Sequence, residues 1–450
     1  MQRQMKILLC ALLLAGGSHA QAIQDAAPAP ASVLFENVRV FNGTAGQLSA
    51  PSNVLVVGHL IKAISTRPIA ISDETAVTRI QGGGRTLMPG LIDNHVHIVM
   101  SASSQTDLLD PKLSIEEIQA RATAEAEQML MRGFTSVRDL GGPILTARPA
   151  IDKGELPGPR IYASGAMISQ TSGHGDSRHP HERSRRFFGE VSRGEQMGFN
   201  YIADGRDDVL TATRENLRAG AAQIKLMAGG GAATAYDPLD VTQYTLDEMK
   251  AAVDAAADWG TYVTVHAYTA RAVRRAVQAG VKSIEHGQLL DEATMKLLAE
   301  KGIWLSLQAL DPPPPNANPI NAKKKMQVIA GTDNAFKWAR KYGVKLAWGT
   351  DFLFDPAQNA KQNSDILKLS QWMKPAVILK LVTHDNAQLL ALSGLRNPYP
   401  GKLGVVQEGA LADLLLVDGN PMANLDLLGD PAKNFLVIMK NGKVYKNLPH

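Results

Sequence analysis

The chain has 450 residues, a formal net charge of +4, 45% hydrophobic residues and 20% charged residues, which is the usual composition of a globular protein. A positive excess of this size gives no electrostatic reason to expect a nucleic acid or a membrane surface as partner. Because the chain has a single cysteine, an intramolecular disulfide framework is excluded.

Residues 1–20 are typical of a secretory signal peptide. Arg3 and Lys6 form a basic start, 7–15 is an apolar core, and 18–20 reads Ser-His-Ala, a small-x-small cleavage site. The apolar core is too short to span a bilayer. We therefore expect an exported protein, periplasmic or secreted, with no membrane segment once the signal peptide is removed.

The cysteine, Cys10, lies within this signal peptide. We therefore expect the mature chain to use neither thiol catalysis nor cysteine-bound zinc. Lipidation of Cys10 is a weaker alternative, because Leu9 stands where a bacterial lipobox has a small residue. Residues 21–32, rich in alanine and proline, are interpreted as a flexible leader.

Short strands separated by turn residues are predicted at both ends of the chain, in 33–88 and in 397–450. Examples are Val54–Val57 and Phe435–Met439, and Lys-Asn-Gly-Lys at 440–443 is typical of a hairpin turn. Both ends of the chain are rich in strands, whereas the segment between them has a different pattern. This arrangement predicts one small β-sandwich domain that both chain ends build together.

The middle of the chain, 89–396, alternates apolar strands with amphipathic helices. This order predicts an α/β fold, a (β/α)8 TIM-like barrel. An open doubly wound sheet is the alternative, although no glycine-rich phosphate loop at a strand–helix turn favours a nucleotide-binding version. The predicted strands are 91–98, 134–139, 160–168, 222–228, 262–267, 283–287, 303–309 and 345–350. The predicted helices include 115–132, 246–259, 270–279, 291–301, 327–342 and 375–393.

Two long loops are predicted within the barrel. The first, 169–208, carries His174, His179, His181 and an arginine-rich patch, and the second, 311–325, contains a proline run and ends with three lysines. On the catalytic face of a barrel both would form walls or lids of a pocket. Surface decoration or an oligomer contact fits each loop equally well.

Six polar residues stand at the carboxyl ends of predicted strands, which is the face where barrel enzymes assemble their active sites. A single polar residue at such a place is often an ordinary core residue. Six of them, all at the carboxyl ends of their strands, predict a functional site. The six are His95, His97, Lys225, His266, His286 and Asp351.

Imidazole and carboxylate groups are ligands that suit zinc and neighbouring transition metals. Five such ligands exceed the needs of one tetrahedral catalytic ion with an open position, so two ions with a shared bridging ligand are favoured. Lys225 is the candidate bridge, because burial disfavours its ammonium form and a neutral amine reacts with carbon dioxide to give a carbamate. A salt bridge to a carboxylate is the alternative for Lys225.

The sequence Met-Pro-Gly-Leu-Ile-Asp-x-His-x-His at 88–97 resembles the opening signature of the metal-dependent amidohydrolase superfamily. The later lysine, the two later histidines and Gly-Thr-Asp at 349–351 match that superfamily in kind and order. The resemblance implies two divalent ions, with Zn²⁺ as the expected metal. It assigns His95, His97 and Asp351 to the more buried ion, His266 and His286 to the other, and N6-carboxylysine at Lys225 to the bridge.

Within the superfamily the chain is similar to the Xaa-Pro dipeptidase-like group, which includes ochratoxin-hydrolysing enzymes. The similarity lies in Ser-Gly-His-Gly-Asp at 172–176, in the stretch 224–231 and in the secretory signal. One departure is Phe352, where many relatives have a small residue. We expect its ring beside the pocket, where it would favour apolar or aromatic substrates.

The resemblance implies a binuclear hydrolase that cleaves the amide bond of small N-acyl amino acids or dipeptides through a hydroxide bridging the two metals. An ochratoxin-type amide that releases phenylalanine is a specific case. Asp351 is expected to orient the hydroxide, take its proton and pass it to the leaving nitrogen. His174 and Tyr236 are candidate oxyanion donors, although His174 could equally be an ordinary hydrogen-bonding residue of its loop.

Other functions stay open at this point. The same metals could support opening of a cyclic amide, hydrolysis of a lactone or deamination. A functional Lys225 argues against deamination, because a deaminase normally uses one metal and a glutamate proton shuttle. A non-catalytic periplasmic binding protein that kept the fold is the remaining alternative. Because relatives commonly form large assemblies, we expect a homo-oligomer.

Overall fold

The computed structural model describes residues 31–71, 77–234 and 236–449. The predicted signal peptide 1–20 with Cys10, and the predicted leader up to residue 30, lie outside the described residues. In the part of the chain that the structure describes, no helix combines the length and the apolar character needed to cross a membrane.

Strands and helices alternate through the middle of the chain, and strands predominate at its ends. The strands are β1 (Ser32–Val40), β2 (Pro51–Val57), β3 (Leu60–Ser65), β4 (Val77–Gln81), β5 (Thr86–Pro89), β6 (Leu91–Val96), β7 (Phe134–Asp139), β8 (Arg160–Ala163), β9 (Met167–Ser169), β10 (Asn200–Ile202), β11 (Ile224–Met227), β12 (Val263–Thr269), β13 (Ser283–Leu289), β14 (Trp304–Leu307), β15 (Lys345–Trp348), β16 (Leu414–Val417), β17 (Phe435–Lys440) and β18 (Lys443–Asn447). The α-helices are α1 (Ile98–Ser101), α2 (Gln105–Leu109), α3 (Ile115–Met131), α4 (Arg148–Asp152), α5 (Arg193–Gln196), α6 (Arg206–Arg218), α7 (Leu246–Asp258), α8 (Ala270–Ala279), α9 (Glu292–Lys301), α10 (Pro319–Tyr342), α11 (Pro356–Asn359), α12 (Gln362–Lys368), α13 (Pro375–Lys380), α14 (Asn386–Leu390) and α15 (Pro431–Asn434).

Parallel strands from the middle of the chain form a ring. β6, β7 and β8 make one sheet, and β10, β9, β11, β12, β13, β14 and β15 follow one another in a second. Two backbone hydrogen bonds join the sheets: Ala222 N–H donates to the Ala163 carbonyl at 2.8 Å, and Asp351 N–H donates to the His95 carbonyl at 2.7 Å. The predicted TIM-barrel-like α/β fold is therefore confirmed, with the predicted strand 160–168 divided into β8 and β9.

Two helices differ from their predicted bounds by more than one residue. α10 begins as early as Pro319, because the Asn318 side chain accepts two hydrogen bonds from the backbone of the first turn and proline suits that position. The prediction that 311–325 is a loop is therefore wrong for its second half, which is helical. The helix predicted over 375–393 is divided into α13 and α14 by a π-helical turn at Leu381–Asp385.

Strands from both chain ends lie in one eight-stranded sheet. Its order is β18-β17-β16-β5-β1-β2-β3, with β4 paired in parallel to β1. The two ends meet where β5 and β16 run antiparallel, with Pro89 opposite Leu414. Both ends therefore share a sheet, and the division of this sheet into the two layers of a sandwich stays a prediction, as do the exact domain boundaries.

Candidate metal centre

The six polar residues chosen from the sequence lie together at the carboxyl ends of the barrel strands. His95 is in β6, Lys225 in β11, His266 in β12 and His286 in β13. His97 follows β6 directly, and Asp351 stands three positions after the end of β15. All six line the same cavity. We call this group the candidate metal centre; its members are His95, His97, Lys225, His266, His286 and Asp351.

The carboxylate of Asp351 lies at the middle of the candidate metal centre. Its Oδ1 atom is 3.2 Å from Nε2 of His95 and 3.3 Å from Nε2 of His97. Its Oδ2 atom is 3.8 Å from Nε2 of His286. The donor atoms of His95, His97 and Asp351 lie within 4.8 Å of one another, a spacing at which they could hold one metal ion.

The backbone at two of these residues is strained. His286 has φ of 80° and Asp351 has φ of 53°, a left-handed conformation that non-glycine residues adopt rarely. Each such residue costs on the order of 1–3 kcal/mol and persists only where the surrounding structure holds it. Asp351 stands where the chain leaves β15, whereas His286 lies within β13. Both side chains line the cavity.

Lys225 is buried in the floor of the cavity, with its Nζ atom 3.5 Å from Nε2 of His95. Burial lowers the pKa of its amine to about 8. Among the described residues no carboxylate oxygen lies within the 4.0 Å of an ion pair, so the alternative of a direct salt bridge is not what this amine forms. A buried, weakly basic amine is the form that can react with carbon dioxide.

Three of these histidines have Nε2 near the Asp351 carboxylate, and in each of them the second ring nitrogen, Nδ1, contacts another residue. Nδ1 of His95 is 3.1 Å from Oε2 of Glu285, Nδ1 of His97 is 3.2 Å from the Gly141 carbonyl, and Nδ1 of His286 is 2.7 Å from Oε1 of Gln308. Contacts of this kind fix ring orientation in metal sites. In all three rings Nε2 is therefore the nitrogen directed towards the Asp351 carboxylate. His266 differs, because its Nε2 lies 3.2 Å from the Gly230 carbonyl.

The electrostatics suit a divalent cation. Burial lowers the pKa of His95 to about 4 and that of His286 to about 3, and it lowers the pKa of His266 well below its usual range. Burial alone would raise the pKa of Asp351, but the neighbouring His95 and His97 hold it well below its ordinary value. Neutral imidazoles around an ionised carboxylate are the protonation states that metal binding requires.

His174 joins the site from the loop after β9. Its ring stacks on His266 with the ring centroids 4.1 Å apart, and its Nδ1 atom is 2.9 Å from Oδ2 of Asp237. The backbone of Gly231 runs against this ring so closely that a Cβ there would overlap with it. The structure therefore places His174 in the cavity wall, beside the candidate metal centre.

Two aromatic residues chosen from the sequence lie elsewhere. The side chain of Tyr236 is 58% exposed, and the described residues of its loop that line the cavity are 232–234. Its role as an oxyanion donor stays a prediction, without support from its position. Phe352 is buried, but the neighbours that line the cavity are Leu353 and Phe354, so the expectation of a Phe352 ring beside the pocket is wrong.

Sequence reasoning missed Tyr268. This residue is buried on β12 and lines the cavity, with its ring centroid 5.0 Å from that of His286 and 5.1 Å from that of His266. The sequence does contain a pattern that indicates Tyr268, because His266 and Tyr268 have the same i,i+2 spacing on a strand as His95 and His97.

Apolar side chains form much of the cavity wall above the candidate metal centre. The loop 169–208 contributes His174, Ser177, Phe199 and Asn200, so part of it forms a wall as expected. Among the described residues of 311–325, none lines the cavity. The larger apolar lining residues are Met100, Leu108, Leu109, Met167, Phe199, Met227, Leu353 and Phe354.

Most of the chain is similar in sequence to known proteins. Residues 86–446 match the amidohydrolase family. The chain is 31% identical to ochratoxinase from Aspergillus niger over 383 residues, which cover 80% of this chain and 75% of that protein.

Two solved structures are also similar. A prolidase crystallised with N-methylphosphonate-L-proline is 32% identical, with a TM-score of 0.84 and coverage of 92% of this chain and 100% of the prolidase. A Xaa-Pro dipeptidase with methionine bound in its active site is 28% identical, with a TM-score of 0.79 and coverage of 93% and 100%.

Proposed function

Because the chain belongs to the amidohydrolase family, we propose that it is a binuclear metal-dependent hydrolase that cleaves the amide bond of small N-acyl amino acids or dipeptides. With ochratoxinase and dipeptidase relatives, it is a hydrolytic enzyme acting on amide C–N bonds. One observation carries the finer proposal: the Asp351 carboxylate lies among three imidazoles in a cavity whose floor also holds the amine of Lys225.

We assign two zinc ions to the candidate metal centre. His95, His97 and Asp351 would hold one, His266 and His286 the other, and N6-carboxylated Lys225 would bridge them. Neutral imidazoles, an ionised carboxylate and a buried amine that has no carboxylate partner in the described part of the chain support this assignment. When bound, such ions lower the pKa of a water molecule and polarise the scissile carbonyl.

Asp351 is the residue that moves the proton in this proposal. Its carboxylate is ionised and lines the cavity, so its oxygens can accept a proton from the attacking water. The same carboxyl group then delivers that proton to the leaving nitrogen, since hydrolysis of an amide needs a general base followed by a general acid.

His174 is assigned to the substrate carbonyl oxygen. Because Asp237 holds Nδ1, the ring nitrogen left for the substrate is Nε2. In the imidazolium form that atom carries an N–H group, which would donate to the oxygen as negative charge develops there. Tyr268, buried beside His266 and His286, is a second hydroxyl donor within the same wall.

The apolar walls favour a substrate with an apolar or aromatic group. Leu108, Met167, Phe199 and Phe354 offer surface to such a group but no charge. The names of the relatives indicate the class: an ochratoxinase, a prolidase and a Xaa-Pro dipeptidase. We therefore propose small N-acyl amino acids and dipeptides, including an ochratoxin-type amide that would release phenylalanine.

The test is a substrate panel on protein that is chelated and then reloaded with zinc. We expect two ions per chain and release of a free amino acid from N-acyl amino acids or dipeptides. His97→Ala should abolish turnover, whereas His59→Ala, an exposed histidine of the terminal sheet, should leave it unchanged. Three outcomes would refute the proposal. Ammonia release with one ion per chain would favour deamination, and turnover of only cyclic amides or lactones would favour hydrolysis of those rings. Binding of the substrates without turnover would favour a binding protein.

We further propose that the protein is exported, which the predicted signal peptide supports, and that it acts as a homo-oligomer, as the family resemblance implies. Sequencing the amino terminus of the mature protein should give Gln21 as its first residue. Light scattering should give a mass that is a multiple of the chain mass; an unprocessed monomer would contradict both statements.

A further inference from the structure

The three consecutive lysines at 323–325 have no role in the proposed function, yet they differ sharply in their surroundings. Lys323 is exposed and Lys325 is partly buried, whereas Lys324 is buried although it lies on the second turn of α10. A buried lysine needs partners for its ammonium group, because burying an unpaired charge is costly. The partners of Lys324 therefore indicate what this residue does.

The ammonium group of Lys324 is bound by one loop, the segment that follows β11. Its Nζ atom donates to the carbonyl of Gly231 at 2.7 Å, that of Thr234 at 2.6 Å and that of Asp237 at 2.7 Å. Three N–H donors thus meet three carbonyl acceptors, which satisfies the group fully. Because the three carbonyls lie apart along the loop, one side chain holds the described part of this segment at three points.

This loop carries the residue that orients His174. Oδ2 of Asp237 accepts from the Gly231 N–H at 2.5 Å and contacts Nδ1 of His174 at 2.9 Å. Within the described residues Oδ1 of Asp237 has no hydrogen-bond partner, and the Lys324 ammonium lies 3.8 Å from it. The contacts form a continuous series from Lys324 through the loop and Asp237 to His174 in the cavity wall.

We infer that Lys324 is a positioning residue for the hydrolytic reaction: it fixes the described residues of the loop after β11 and, through Asp237, the orientation of His174 towards the substrate. The inference rests on the proposed function for its catalytic part. Lys324 does not line the cavity, so its effect on catalysis is indirect. A displacement of about 1 Å at a catalytic group can cost about 10²-fold in rate, so loss of this anchor should be measurable in turnover.

The experiment compares Lys324→Met and Lys324→Arg with the matched control Lys323→Met, all loaded with zinc. We expect Lys324→Met to lower kcat by about 10- to 100-fold with zinc content unchanged, Lys324→Arg to recover part of it, and Lys323→Met to equal wild type. Hydrogen–deuterium exchange should rise in the segment after β11 only in the Lys324 variants. This second readout does not depend on activity.

A double-mutant cycle separates positioning from general stability. If Lys324 acts through His174, then adding Lys324→Met to a His174→Ala variant should change kcat/KM by less than about twofold. Full additivity of the two changes, or a kcat of Lys324→Met equal to that of Lys323→Met, overturns the inference while leaving the proposed function intact. A wild-type protein that cleaves none of the panel refutes the proposed function, and with it the catalytic part of this inference.

Discussion

Replacement of Arg138 by methionine should destabilise the protein strongly. The guanidinium group is fully buried between β7 and its neighbours, with Nη2 donating to Oε1 of Glu285 at 2.6 Å. It also donates to the Asn94 carbonyl at 2.7 Å and to the Tyr262 hydroxyl at 3.1 Å. Methionine fills much of the same space without charge, so the variant leaves the Glu285 carboxylate buried without its cation.

Removal of one partner from a buried ion pair costs about 3–5 kcal/mol. The entropy of unfolding is about 2.1 cal/mol/K per residue, or roughly 0.9 kcal/mol/K for a chain of this length. The Tm should therefore fall by about 3–6 °C. Because the penalty comes from the unpaired carboxylate, the double variant Arg138→Met/Glu285→Gln should be more stable than Arg138→Met alone.

Calorimetry on chelated protein measures this effect without a contribution from metal binding. The matched control is Arg79→Met, which removes an ion pair with Glu36 at 2.8 Å whose arginine side chain is 54% exposed. Exposed pairs contribute about 0–1 kcal/mol, so its Tm should change by no more than about 1 °C. Equal Tm values for the two single variants, or a double variant less stable than Arg138→Met, would refute the reasoning.

Three further changes test the site. Asp351→Asn should lower kcat by about 10²–10⁴, because it removes the proton carrier, while elemental analysis finds the zinc largely retained; near-normal turnover would contradict its role. Lys225→Met should reduce the zinc bound per chain, since the bridge is lost, and an unchanged count would exclude bridging. Gly231→Ala should lower kcat, because its new methyl group would occupy the space of the His174 ring, whereas Gly46→Ala, which has open space around it, should not; equal kcat values would show that the His174 position is not required.

The convergence of the residues of the candidate metal centre could be predicted because their geometry is local. His95 and His97 share one face of a strand through their i,i+2 spacing, and parallel strands of a barrel bring their carboxyl ends to one side. Lys225, His266 and His286 follow from the same rule. Each needed only the assignment of its own strand, which the alternation of apolar strands and amphipathic helices provides.

Contacts between distant parts of the chain could not be predicted in this way. Arg138 and Glu285 lie 147 residues apart, and neither strand indicates by itself that the other supplies its counter-ion. Sequence reasoning named Tyr236 and missed Tyr268 for a related reason: the direction of a side chain in a loop depends on the packing of that loop, whereas the i,i+2 rule fixes it on β12. The anchoring of the loop by Lys324 likewise depends on how α10 packs behind it.

The two motifs that identify the family contact each other where the barrel closes. Oδ1 of Asp93 accepts from the N–H groups of His95 and Thr350, at 3.0 and 3.1 Å, and Oδ2 accepts from the Thr350 hydroxyl at 2.7 Å. A Cβ at Gly349 would collide with the backbone of His95, which accounts for glycine at that position. Asp351 N–H then donates to the His95 carbonyl, and its left-handed φ directs the carboxylate back over the imidazoles. The contacts that close the ring between β15 and β6 are therefore made by the same short segments that carry His95, His97 and Asp351.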